Sequence, residues 1–197
     1  MNKKFTLAIF LIIILLNFSK SHSIEADVFV QSTVNRAAKT LGGNLSKEER
    51  IVKLKKIAKD TVDIEGIGRY SLGANRKKAT NDQIIKYKAA FSEYFLKSFS
   101  SRLAEYSNPE IEVNSKKIIN ENYTIVSSTL AGTDSRPEVK IEWRVYTKDP
   151  NNLLIRDLII EGLSLARTQK EEFDSIINSN DGNIDALIEN LSNFVTK

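Results

Sequence analysis

The chain is 197 residues long, with 29 lysines and arginines against 25 aspartates and glutamates, one histidine and no cysteine. Without cysteine there is no disulfide and no thiol nucleophile, and the usual His/Cys zinc sites are excluded. The only histidine is His22, inside a segment that reads as an export leader, so a Ser-His-Asp triad is excluded from the remainder as well.

The leader has three parts. Lys3 and Lys4 precede an apolar stretch from Phe5 to Leu16, broken only by Thr6, and Ser19-Lys20-Ser21-His22-Ser23 follows with small residues at 21 and 23. This is the pattern of a basic region, a short apolar core and a small-x-small cleavage site. The core is short for a membrane span, so cleavage after Ser23 is expected, leaving residues 24–197 as a single domain. Removal takes Lys3, Lys4 and Lys20 and leaves 26 basic against 25 acidic residues, a net of +1. No long Lys/Arg block remains, which argues against nucleic acid as a partner.

In chain order, residues 25–41 read as a first helix with Val28, Val34, Ala38 and Leu41 among its apolar positions, stopped by Gly42-Gly43. Ser46 and Glu49 form a capping box for a helix to about Thr61, with Ile51, Leu54, Ile57 and Ala58 inward and Lys53, Lys55, Lys56 and Lys59 solvated. Asp63 is placed to cap a short helix to about Leu72. Thr80 and Gln83 form a second box, opening the longest helix, roughly 81–106. On it Ile84, Tyr87, Phe91, Phe95, Phe99, Leu103 and Tyr106 recur at spacings of three and four and make one stripe. Such a stripe builds either a core or the wall of an apolar cavity; periodicity does not separate the two.

After Asn108-Pro109 the pattern changes to strands, expected at about 110–119, 122–131, 138–147 and 153–163, with turn-rich connections. The third alternates, Val139, Ile141, Trp143 and Val145 against Lys140, Glu142, Arg144 and Tyr146. The fourth is apolar on both parities, as in a strand covered on both faces. Two helices finish the chain, about 168–177 and from Ile184 to the end. The class is α+β: helices packed on a curved four-stranded antiparallel sheet, with room for an apolar cavity between them. No metal-ligand cluster or phosphate loop is present in the sequence, so no cofactor and no metal site is expected.

Three blocks resemble the MlaC (toluene-tolerance) family of periplasmic phospholipid-binding proteins. The first is Val62-Asp63-Ile64-Glu65-Gly66-Ile67-Gly68-Arg69-Tyr70-Ser71-Leu72-Gly73. The second is Ala79-Thr80-Asn81-Asp82-Gln83 with Tyr87, Ala90-Phe91 and Tyr94. The third is Arg156-Asp157-Leu158-Ile159-Ile160-Glu161-Gly162-Leu163-Ser164-Leu165, followed by Phe173 and Asp185-Ala186-Leu187-Ile188. Order and spacing agree across almost the whole chain after the leader. The resemblance implies a non-enzymatic periplasmic carrier that binds phospholipid acyl chains. It implies shuttling between an outer-membrane lipoprotein complex and an inner-membrane ABC transporter with an MCE-domain subunit. Members tied to hopanoid metabolism make another lipid an alternative. One departure stands out. Where many members continue after Leu72-Gly73 with arginine and aromatic residues, this chain reads Ala74-Asn75-Arg76-Lys77-Lys78. Lys77 and Lys78 suit an anionic head group or an acidic partner, or simply a solvated loop.

Helix and strand faces, with the family likeness, give the expected cavity lining: Tyr70, Leu72, Phe91, Phe95, Phe99, Val126, Ile141, Trp143, Val145, Leu158, Ile160 and Leu163. Strand parity decides this set, since a one-residue slip reverses every side chain. Asp157 and Glu161 are expected to make structural hydrogen bonds, with Arg69, Arg144 or Arg167 as donors. The rival reading makes one of those carboxylates the acid or base of an enzyme, which requires it at the centre of a pocket.

Overall fold

The structure is a computed structural model that describes residues 25–134 and 136–197. The expected leader, residues 1–23, lies outside the described residues. Helix α1 (Ala26–Gly42) buries Val30, Val34 and Leu41, together with Thr33 and Thr40. Those two hydroxyls donate to the carbonyls of Phe29 and Arg36, one turn earlier, so neither is buried unpaired. Val28, expected inward, is exposed; it lies two residues from Val30, and such pairs do not share a helix face. Helix α2 (Lys47–Thr61) opens with the expected capping box, Glu49 N–H to Ser46 Oγ and Ser46 N–H to Glu49 Oε2. It buries Leu54, Ile57 and Ala58.

Helix α3 (Ile64–Leu72) is capped by Asp63 and runs into a 3₁₀ turn, Gly73–Lys77. Helix α4 (Asn81–Leu103) carries the second capping box, Thr80 with Gln83. It ends three residues before the expected Tyr106. Its buried line runs Tyr87, Phe91, Leu96, Ser100, with Phe95 and Phe99 half-buried beside it. The stripe read from the sequence therefore drifts by one position along the second half of the helix.

The sheet is an antiparallel meander in the order β1-β2-β3-β4-β5: β1 (Ile111–Asn120), β2 (Tyr123–Leu130), β3 (Val139–Tyr146), β4 (Leu154–Ile160) and β5 (Leu163–Ser164). The expected fourth strand, 153–163, is thus two strands. Glu161 and Gly162 both have positive φ, 50° and 82°. That pair makes a two-residue hairpin turn of the kind that matches strand twist. It sets Ile160 opposite Leu163 and Ile159 opposite Ser164. Helix α5 (Leu165–Asn178) follows at once, three residues earlier than expected, because Ser164 is its cap. Helix α6 (Ile184–Thr196) closes the chain.

Two cross-strand rows cover one face of the sheet, Val126–Trp143–Leu158 and Ser128–Ile141–Ile160. The Trp143 indole N–H donates to Ser128 Oγ at 2.8 Å, so the row stays satisfied where it is buried. Val126, Ile141, Trp143 and Val145 join Val30, Val34, Leu72, Phe91 and Phe173 in one continuous core.

Asp63 ties the helical layer to this sheet. One carboxylate oxygen accepts the Gly66 N–H at 2.8 Å and caps α3; the other accepts Arg156 Nε at 2.6 Å. The Asp63 N–H donates to the Ile155 carbonyl, and Val62 bridges Ile155 in parallel. Arg156 is the extra residue of a β-bulge between β3 and β4, which turns it toward the helix. Its guanidinium also donates to Tyr123 Oη at 2.7 Å and lies 3.6 Å from the Tyr146 ring centre. Gly66 is required here, because a Cβ would stand 2.2 Å from an Asp63 oxygen. Asp63→Ala is expected to lower stability by about 2–4 kcal/mol, since it removes a cap and leaves a mostly buried guanidinium unpaired. The readout is a lower urea midpoint at unchanged slope. Asp60→Ala, which breaks the exposed pair with Arg36, is expected to leave the midpoint nearly unmoved.

Candidate functional site: an apolar groove with a cationic rim

Helices α3 and α4 converge on Gly68. A Cβ at that position would meet the Phe91 ring at 2.7 Å, so glycine sets how closely the helices approach. The Tyr87 hydroxyl donates to the Gly68 carbonyl at 2.8 Å and fixes the crossing. Above this contact the helices diverge and leave a groove of about 600 Å³. Ile64, Gly68, Leu72, Ile84, Tyr87 and Phe91 form its floor; Glu65, Arg69, Arg76, Lys88 and Ser92 form its edges. A volume of this size falls within the roughly 300–1,000 Å³ of small-molecule pockets.

Phe91 is the hub behind the floor. It packs against Tyr87, Tyr94 and Phe95 with ring centres 5.8, 6.4 and 6.1 Å away, and edge-on against Phe173 at 6.1 Å. Phe95 stacks on Phe99 at 5.6 Å. An aromatic path therefore runs from the groove into the core.

The expected lining divides into three groups. Leu72 and Phe91 meet in the groove. Val126, Ile141, Trp143 and Val145 are buried in the core, with Leu158, Ile160, Phe95 and Phe99 half-buried; all eight lie outside the groove. Tyr70 and Leu163 are exposed, at 48% and 58%. Tyr70 is two residues from Gly68 and from Leu72, so the helix turns it away from the groove. Leu163 sits just past the β4–β5 turn, on the short edge strand opposite Ile160.

Asp157 is 3% exposed. It accepts from Ser164 Oγ at 2.6 Å and from the Ala166 N–H at 3.0 Å, with Arg144 Nη1 at 3.5 Å. It thus supports the N-terminus of α5, with Arg144 as the charged partner rather than Arg69 or Arg167. Glu161 is exposed on the hairpin turn. Neither carboxylate lines the groove.

The family comparison bears on the same segments. The sequence model described as MlaC protein matches residues 30–193. The chain belongs to the MlaC family. Comparison with curated proteins gives no match. Among solved structures, a phospholipid-binding protein from Ralstonia solanacearum, in complex with a phospholipid, is similar with a TM-score of 0.72 at 21% identity. The likeness covers 88% of this chain and 98% of that one. At that identity it establishes a shared fold, so the α+β arrangement above is that of a solved relative.

A second groove of this MlaC-family chain, about 570 Å³, lies among α4, α5 and α6, with Tyr94, Phe173, Leu191 and Phe194 as its apolar part. Arg102, Gln169, Glu171, Glu172 and Asn190 also line it, so its edge carries both signs of charge. The α3–α4 groove has the more apolar floor. Its Ile84 and Tyr87 belong to the stripe read from the sequence. Gly68 and the rim cations were missed as site residues, although Gly66-x-Gly68 inside a helix is a signal of close approach.

Two outcomes are expected. Gly68→Ala costs about 1–3 kcal/mol, because the buried Phe91 ring cannot move aside freely. The second concerns pH. Burial pushes the Tyr87 phenol well above its ordinary value. The unfolded chain loses this proton near pH 10 while the native chain keeps it, so stability falls as pH rises above about 10. Tyr87→Phe removes that contribution. Its stability is expected to fall less steeply in urea titrations between pH 9.5 and 11, by at most about 1.4 kcal/mol per pH unit.

Proposed function

We propose that this protein is a periplasmic carrier that binds a phospholipid by its acyl chains and moves it between the outer membrane and an inner-membrane ABC transporter. The observation that carries the reading is the α3–α4 groove, whose carbon floor opens under a rim of guanidinium and ammonium groups. That combination complements an amphiphile: hydrocarbon below, phosphate at the edge. Membership of the MlaC family supports it, as does the shared fold with a protein described in complex with a phospholipid. Residues 1–23 would direct export and be removed, and residues 24–197 would act as one lipid-binding domain. The outer-membrane lipoprotein complex and the MCE-domain transporter complex are the partners this reading assigns.

Each methylene taken from water is worth about 0.8 kcal/mol, so two ordinary chains bring roughly 20 kcal/mol or more. A groove of this size shelters only part of that surface. In our reading the chains extend past Leu72 and Phe91 as the Phe91 and Phe95 rings turn, and reach the inner rows of the sheet. There Val126, Ile141, Trp143, Val145, Leu158 and Ile160 offer further apolar surface. The binding step needs no acid, base or nucleophile. The rival enzyme reading is disfavoured by Asp157, whose lone pairs are held by Ser164, Ala166 and Arg144 away from the groove.

The test is native mass spectrometry of delipidated protein reloaded with a two-chain glycerophospholipid or with a hopanoid. One glycerophospholipid per chain is the expected result. Ser92→Trp, which places a ring in the groove from a half-exposed position, is expected to cut uptake at least tenfold with the unfolding midpoint unchanged. Uptake of the hopanoid alone would reassign the cargo, and no uptake of either lipid would sink the carrier reading.

A further inference from the structure

The charges around the groove are not balanced. Lys88 pairs with Glu65 at 2.6 Å, so these two rim groups neutralise one another. Arg69 and Arg76 are exposed and make no ion pair within 4 Å among the described residues, although the Arg69 charge also helps Lys88 hold the Glu65 carboxyl below its ordinary range. The 3₁₀ turn that carries Arg76 is held in place rather than merely solvated. Gly73 takes a positive φ of 55°, and a Cβ there would stand 2.9 Å from Lys170 Cε, so α5 packs directly on the turn. Asn75 Nδ2 donates to Asp174 Oδ1 at 2.9 Å. The second oxygen of Asp174 accepts from Lys170, so this nearby acid is occupied on both sides. Lys77 and Lys78, both exposed, extend the positive charge just beyond Arg76.

We propose that this rim selects lipids whose head group carries a net negative charge, of the phosphatidylglycerol type, over zwitterionic lipids. This rests on the groove reading given above and adds the charge of the cargo to it. Guanidinium groups pair bidentately with phosphate oxygens, which both head-group classes carry. The discrimination comes from what lies beyond the phosphate. A choline or ethanolamine ammonium would be set among Arg76, Lys77 and Lys78, with Glu65 already engaged by Lys88. A neutral glycerol meets no such repulsion. Specificity of this kind needs a repulsive element as well as an attractive one, and the turn supplies it. At solvent-exposed sites such terms amount to about 1 kcal/mol, so the expected preference is about five- to tenfold.

The test offers the delipidated protein equal amounts of phosphatidylglycerol and phosphatidylcholine with identical chains, in neutral detergent micelles. Bound lipid is then counted by mass spectrometry. The expected result is a five- to tenfold excess of phosphatidylglycerol that drops to near parity in Arg69→Gln/Arg76→Gln and shrinks at high salt. Lys55→Gln/Lys56→Gln, which removes the same charge from α2, is expected to leave the ratio unchanged. Millimolar inorganic phosphate is expected not to alter it. Parity in the unmodified protein overturns the proposal, as does a ratio that survives the arginine double variant. A ratio lost equally in the lysine variant overturns it by showing a bulk charge effect. Loss of the preference on adding phosphate overturns it by showing a site for the free anion. If neither lipid is taken up, the groove reading falls together with the selectivity; if both are taken up equally, the selectivity alone falls.

Discussion

The position of α3, and with it one wall of the groove, depends on the Asp63 carboxylate. An acid that is only 15% exposed at its side chain and a guanidinium at 24% must each be paired to be tolerated. Here the pairing is complete. One oxygen caps the helix, the other holds Arg156, and the guanidinium is further satisfied by the Tyr123 hydroxyl and the Tyr146 face. The contact joins residues far apart in the chain, so it is a tertiary constraint expressed through a helix cap. Gly66 belongs to the same device, because any side chain there would occupy the space of the carboxylate.

The opposite wall is built differently. Helix α4 meets α3 through Gly68 and Phe91, a contact of carbon on backbone, through the buried hydrogen bond from Tyr87, and through the exposed Lys88–Glu65 pair. Phe91 then leans on four other rings at 5.8 to 6.4 Å. Ring–ring contacts are weaker and less directional than an ion pair held by a cap, at about 0.5–1.5 kcal/mol each. One wall is therefore pinned by polar geometry and the other is a stack of apolar groups that can exchange partners.

This division explains what was legible in the sequence. Features decided within one turn of chain are readable: the caps at Ser46, Asp63 and Thr80, and the aromatic period from Ile84 to Phe91, before the buried line shifts to Leu96 and Ser100. So are the alternation of β3 and the order of the meander. Features decided by long-range contact are not. The bulge that turns Arg156 toward Asp63 leaves no mark in the run from Ile155 to Leu165, and the β4–β5 hairpin leaves only Gly162, since its first turn residue is Glu161 rather than the Asn or Asp such turns prefer. The early start of α5 comes from Ser164, which looks like the end of a strand until Asp157 is seen to hold it. The groove itself is half legible. Faces and family likeness together pick out Leu72 and Phe91, which line it, and equally Tyr70 and Leu163, which are exposed. Exposed cations such as Arg69 and Arg76 carry no periodicity; α3 places the first, and the packing of α5 against the 3₁₀ turn places the second.

The adjacent pair Arg156-Asp157 links these observations. The two side chains serve different helices: Arg156 reaches the cap of α3, while Asp157 reaches the N-terminus of α5. One short stretch of β4 thus orients both helices that flank the 3₁₀ turn. The buried carboxylates Asp63 and Asp157 are committed to the N-termini of α3 and α5, where the helix dipole favours them. Asp174, inside α5, is engaged by the side chains of Asn75 and Lys170. With the acids engaged in architecture, the unpaired charge at the groove is positive and sits at its edge, above a floor of carbon. That order of polarity, carbon within and positive charge without, is what the proposed carrier reading requires of its cargo site.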